Sequence, residues 1–121
     1  MDNNRSLISS FGFAIEGIVH ALKTNRNLKI HFTAAFLIIL VSIYFHVNPF
    51  EMGILGVMIL LVISSEMINT AIEEMVNLIA SDHRKEAKIA KDVAAGMVLL
   101  ASIGSVIVGI LIFAPYILKL I

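Results

Sequence analysis

Three long stretches of this chain carry almost no charge: "LKIHFTAAFLIILVSIYFHV" (28–47), "MGILGVMILLVISSEMINTAI" (52–72) and "VAAGMVLLASIGSVIVGILIFAPYIL" (93–118). A bilayer is crossed by a helix of about 20 mainly apolar residues. In water, three such segments would each have to be buried almost all round, and little chain remains to cover them. Of 121 residues, 59% are hydrophobic and only 15% charged, far from the balance of an ordinary soluble domain. The expected fold class is therefore an all-α membrane protein with three transmembrane helices. One domain, 1–121, accounts for the length.

Basic residues orient such spans. Arg5, Lys23, Arg26 and Lys29 precede or open the first span, the link "HVNPFE" has no Lys or Arg, and "SDHRKEAKIAKD" has Arg84, Lys85, Lys88 and Lys91. The N-terminus and second link are expected on the cytoplasmic side of a multi-pass protein. Ahead of the first span, Leu7, Phe11, Ala14, Ile15, Ile18 and Leu22 recur at helical spacing, with Ser9, Glu16, His20 and Lys23 opposite. That pattern predicts an amphipathic surface helix over about 5–24, lying in the interface or packed on its own bundle. Thr24-Asn25-Arg26-Asn27 and Asn48-Pro49 are the turns. With these breaks the spans are expected at about 28–47, 52–78 and 90–118. A net charge of zero provides no field for nucleic acid, and the absence of cysteine removes disulfides and thiolate metal sites. No cleavable signal peptide is visible in the first residues.

The second span ends in "SSEMINTAIEEMVN" (64–77). At about 100° per residue, Glu66, Asn69, Thr70, Glu73 and Asn77 form one polar stripe, with Ile68, Met75 and Leu78 or Ile79 opposite. An intramembrane carboxylate costs about 2.5–3.5 kcal/mol on insertion scales and is by default a functional hypothesis. Glu66, the deeper one, sits in a poor medium for charge, which suits a group taking a proton from an alcohol. Glu73, closer to water, can offer oxygen to a hard cation such as Mg²⁺, and Asn69 can orient either carboxylate. Lys88, Lys91 and Arg84 in the link are counter-charges for phosphates. Two other readings stand beside this one: polar contacts that merely hold helices together, and proton conduction. Conduction requires polar groups continuing outward, where Ile63, Val62, Leu61 and Leu60 follow instead.

Other signals are weaker. Ala101, Ser105 and Gly109 recur every four residues with Gly104 beside them, a pattern that serves close helix packing within or between subunits. His31 and His46 flank the first span and read as interfacial; Glu74 points away from the stripe, solvated or paired with a basic neighbour.

"EMINTAIEEMVNLI", followed after a short basic link by "AKIAKDVAAGMVLLASI", resembles the prokaryotic diacylglycerol kinase family of small membrane lipid kinases. "NLKIHFTAAF" is similar to the segment entering the first span in its Gram-positive branch, whose members are mostly undecaprenol kinases. The resemblance spans nearly the whole chain, and no Walker-type glycine loop is present. It implies a homotrimer in the bacterial cytoplasmic membrane, with active sites shared between subunits. It also implies ATP-dependent phosphorylation of a lipid alcohol, undecaprenol first and diacylglycerol second. Carried over by motif, Glu66 is the general base at the lipid hydroxyl and Asn69 organises the site. Glu73 binds the Mg²⁺ held by ATP. Lys91, Asp92, Asp82, His83 and Arg84 contact nucleotide, as does Phe13, and Ala95 lies beside the lipid.

Two positions depart from the family. Its "T-E-x-N" stretch reads "TNRN" here, so Asn25 holds the position of a second metal ligand without the charge, which predicts weaker metal affinity. Asn77 stands where many relatives carry aspartate. The competing class is a non-enzymatic oligomeric membrane protein, either proton-conducting or an inactive relative.

Overall fold

A computed structural model describes residues 6–80 and 84–121. Every element among them is a helix: α1 (Leu7–Thr24), α2 (Arg26–Tyr44), α3 (Pro49–Ile79) and α4 (Lys85–Leu118). The last three are long and apolar enough to cross a membrane, so the chain is a membrane protein.

The breaks follow from side chains that cap helices. Ser6 accepts from the Ser9 backbone to start α1. Asn25 does two jobs at once: its backbone N–H closes α1 on Ala21, and its side-chain oxygen opens α2 by accepting from the Leu28 N–H at 3.2 Å. Asn48 caps α3 by accepting from the Glu51 N–H at 2.8 Å, with proline at the first helical turn where its missing N–H is harmless. His46, at φ 53°, supplies the left-handed step that ends α2 three residues before the apolar stretch does. α4 begins at Lys85, earlier than the apolar run, because Lys85, Glu86, Ala87 and Lys88 are all good helix formers.

Hydroxyls inside the spans bond to their own helix. Thr33 donates to the Lys29 carbonyl, Ser42 to Ile38, Ser65 to Val62 and Thr70 to Glu66, which keeps polar groups satisfied where water is scarce. The α2 face that turns inward repeats at helical spacing: Leu28, Ala35 and Ser42 are buried, with His31 and Ile38 partly so. α3 packs mainly on α4. A small core of Val47, Leu55 and Ile112, ringed by Phe45, Met52 and Phe113, closes the end near the α2–α3 turn. There Tyr116 of α4 donates to Glu51 of α3 at 2.6 Å.

Outside this core the helices display large apolar side chains, among them Phe36, Leu60, Leu100, Ile110 and Leu111, as lipid-facing or subunit-facing surfaces require. The small residues of α4 serve contacts inside the subunit. A Cβ added at Gly104 would meet the Met58 methyl of α3 at 3.6 Å, and Ser105 and Gly109 line a cavity shared with Leu55 and Met58. Gly104→Ala is expected to be tolerated at this ordinary contact distance. Gly104→Ile is expected to lower stability by about 1–3 kcal/mol through overpacking, read as the unfolding midpoint in detergent.

Candidate active site

Glu66 is 1% exposed, so it does not face acyl chains on the outside of the bundle. A carboxylate so deeply buried requires partners, and two elements supply them. Asn25, at the α1–α2 turn, donates from Nδ2 to Glu66 Oε2 at 3.0 Å and to Thr70 Oγ1 at 2.8 Å. Thr70 in turn donates to the Glu66 carbonyl, closing a small network across the turn. On the other side, His31 Nε2 of α2 stands 3.3 Å from Glu66 Oε1. The two carboxylate oxygens thus have different neighbours.

Above this network lies a polar cleft of about 270 Å³, lined by Thr24 to Asn27 on one wall and by Asn69, Thr70, Glu73, Glu74 and Asn77 on the other. The sequence stripe and the α1–α2 turn therefore face each other. Glu73 is exposed to the cleft, and Asn69 donates to it from Nδ2 at 3.4 Å. The Asn69 carbonyl oxygen is buried and has no hydrogen-bond partner among the described residues, an acceptor that a ligand or cation in the cleft would satisfy. Lys91 Nζ donates to Asn77 Oδ1 at 2.7 Å, which draws the start of α4 to the edge of the same cleft. Where an aspartate would form an ion pair with this lysine, Asn77 accepts a hydrogen bond from it without adding a negative charge. Glu74, expected to point away from the stripe, instead lines the cleft beside it, and it pairs with His20 of α1 at 2.6 Å, tying that helix to α3.

Below Glu66, between α2, α3 and α4, runs an apolar cavity of about 90 Å³ that begins at His31 and continues past Ala35, Ile59 and Val62 toward Phe113. Glu66 itself lines neither space: its neighbour Asn25 lines the polar cleft, and its neighbour His31 lines the apolar cavity.

Not every expected site residue joins this arrangement. Asp92 is exposed and paired with Lys88 at 2.6 Å. Arg84 lies in a separate cavity of about 430 Å³ with Val76, Ile79 and Ala87. Phe13 and Ala95 are exposed on α1 and α4. Asp82 and His83 lie outside the described residues. Asn25 meets Glu66 and Thr70, not Glu73, and its carbonyl already caps α2. The sequence reading missed Arg26, which lines the cleft, and His31, read only as interfacial. Leu28, His31 and Ala35 follow one helical face, and that register was the available signal for His31.

Among the described residues no three His, Cys, Asp or Glu side chains cluster as a ready-made cation cage. One open carboxylate, Glu73, beside the unpartnered Asn69 carbonyl nonetheless fits magnesium, which commonly takes one or two carboxylates and fills its remaining positions with phosphates and water.

A family model described as prokaryotic diacylglycerol kinase matches residues 12–113. A protein named diacylglycerol kinase from Synechocystis sp. is 38% identical over 116 residues, covering 95% of this chain and 66% of that protein. A protein named undecaprenol kinase from Bacillus subtilis is 39% identical over 106 residues, covering 88% of this chain and 86% of that protein.

Proposed function

The chain belongs to the prokaryotic diacylglycerol kinase family, and from that premise we propose that it transfers the γ-phosphoryl group of ATP to the hydroxyl of a membrane lipid alcohol. Undecaprenol is the first choice of acceptor and diacylglycerol the second. The observation that carries the reading is a buried carboxylate, Glu66, whose two neighbours line different spaces, Asn25 the polar cleft and His31 the apolar cavity. A lipid alcohol and a water-borne triphosphate can meet only at such a boundary.

Dimensions agree with that location. α3 rises about 1.5 Å per residue, so from Met52, where its apolar run begins, a hydrocarbon layer of about 30 Å ends near residue 72. Glu66 then lies just beneath the headgroups and Glu73 at their level. The basic residues of the N-terminus and second link support an orientation with this end on the cytoplasmic side, where ATP is found.

In the reaction, Glu66 accepts the proton of the lipid hydroxyl as its oxygen forms a bond to the γ-phosphorus. The bond from that phosphorus to the β–γ bridging oxygen breaks, and ADP leaves. Asn25 holds the base in place through Oε2, and Asn69 holds Glu73. Glu73 and the Asn69 carbonyl would hold Mg²⁺, which would neutralise charge on the β- and γ-phosphates. Lys91 and Arg26 supply fixed positive charge at the rim of the cleft. Phe13, Arg84 and Asp92, together with Asp82 and His83, contact nucleotide, and Ala95 contacts lipid. A homotrimer sharing sites between subunits would bring these outlying positions into use, and the broad exposed apolar faces of α2 and α4 support such an assembly.

Undecaprenol is preferred because the relative bearing that name is matched over 86% of its own length. The test is an acceptor panel in mixed micelles with γ-labelled ATP and Mg²⁺. Label is expected fastest in undecaprenol. Faster labelling of diacylglycerol would reverse the choice of acceptor, and label in no lipid would contradict the kinase.

A further inference from the structure

We propose that His31 is a positioning residue for Glu66, aiming Oε1 at the lipid hydroxyl; the assignment rests on the kinase reading above. The two oxygens of the base have different neighbours, one on α2 and one at the α1–α2 turn. Oε2 receives the Asn25 amide at 3.0 Å from the polar cleft. Oε1 has His31 Nε2 at 3.3 Å, and His31 also lines the apolar cavity. Oε1 is therefore the oxygen whose neighbour lines the apolar cavity, the side from which a membrane alcohol would arrive.

His31 is well fixed for this task. It shares the inward face of α2 with Leu28, which is 0% exposed, and with Ala35, which is 7% exposed. Its side chain keeps 27% of its exposure, against 2% for that of Glu66, so the ring lies between the buried carboxylate and the open part of the cavity. With the Asn25 contact alone, the carboxylate could rotate about its last torsion, which is broad and soft. A second contact on the other oxygen removes that freedom, and a misplacement of about 1 Å at a reacting group can lower a rate about 10²-fold.

The experiment uses the full-length protein in undecaprenol micelles and in bilayers for infrared spectroscopy. His31→Leu fills similar space without a nitrogen, His31→Gln returns a nitrogen at similar reach, and His31→Asn is polar but too short. We expect His31→Leu and His31→Asn to lower kcat for lipid phosphorylation by about 10²-fold with KM for MgATP unchanged, and His31→Gln to recover most of the loss. The Glu66 carboxyl band, identified by its absence in Glu66→Gln, should shift in the Leu and Asn variants and return in the Gln variant. Should His31→Leu fail to assemble, the Gln and Asn variants carry the comparison. An unmoved band, or equal activity in the Gln and Asn variants, overturns the proposal. Native protein that phosphorylates no lipid defeats the kinase reading, and the infrared comparison still decides whether His31 holds Glu66.

Discussion

Glu66→Gln is expected to lower kcat by about 10²–10⁴-fold, the usual contribution of a positioned general base, while the protein still assembles and still binds MgATP. The substitution removes the proton acceptor and little else. An amide oxygen can still accept from Asn25 Nδ2, and the side chain fills the same buried space. A carboxylate that merely held the bundle together would behave differently. Its loss would lower the unfolding midpoint and leave the turnover of the surviving assembly close to native. Turnover with saturating lipid and MgATP, measured on a size-selected assembly, separates the two. Near-native turnover contradicts the assigned role.

Asn25→Glu is expected to lose both stability and activity. As a metal ligand short of a charge, position 25 would gain from a carboxylate, with a lower magnesium requirement. The observed contacts predict the reverse. A glutamate cannot donate to Glu66 Oε2 or Thr70 Oγ1, sets a like charge beside a buried carboxylate, and is poorly shaped to cap α2 at Leu28. A lost N-cap costs about 0.5–2 kcal/mol and an unpaired buried acceptor about 1–3 kcal/mol, so a fall of about 2–4 kcal/mol is expected in detergent unfolding. Asn25→Asp keeps a capping oxygen and loses only the donor, so its stability should lie between the other two while activity remains low. A rise in activity at limiting magnesium in either variant would make position 25 a metal ligand after all.

Much of this architecture was legible because the membrane simplifies the code. Apolar length alone identified the three crossing helices, and Asn25 and Asn48-Pro49 marked the turns because capping and ring geometry are local properties. The polar stripe was legible for the same reason: Asn69, Thr70, Glu73 and Asn77 sit on one helical face and line one cleft. What could not be read was which side chain from another helix meets that face. Nothing in "TNRN" says that its first asparagine donates to a carboxylate forty-one residues on. Nor does spacing alone reveal that Lys88, read as a counter-charge for phosphates, pairs with Asp92 one helical turn on. His31 was read from its depth in the span, when its register with Leu28 and Ala35 was the better guide.

The measurement that bears most directly on Glu66 as the proposed base is the fate of the γ-phosphate. γ-Labelled ATP is turned over by the native protein with and without a lipid alcohol, and label is counted in lipid and in inorganic phosphate. With Glu66 1% exposed and His31 beside its Oε1, water is a poor competitor for the proposed base. Turnover should therefore depend on the lipid, with nearly all label in the phospholipid product. Release of labelled inorganic phosphate at the same rate in lipid-free micelles would mean that water reaches the reacting centre freely, and would contradict the site described here.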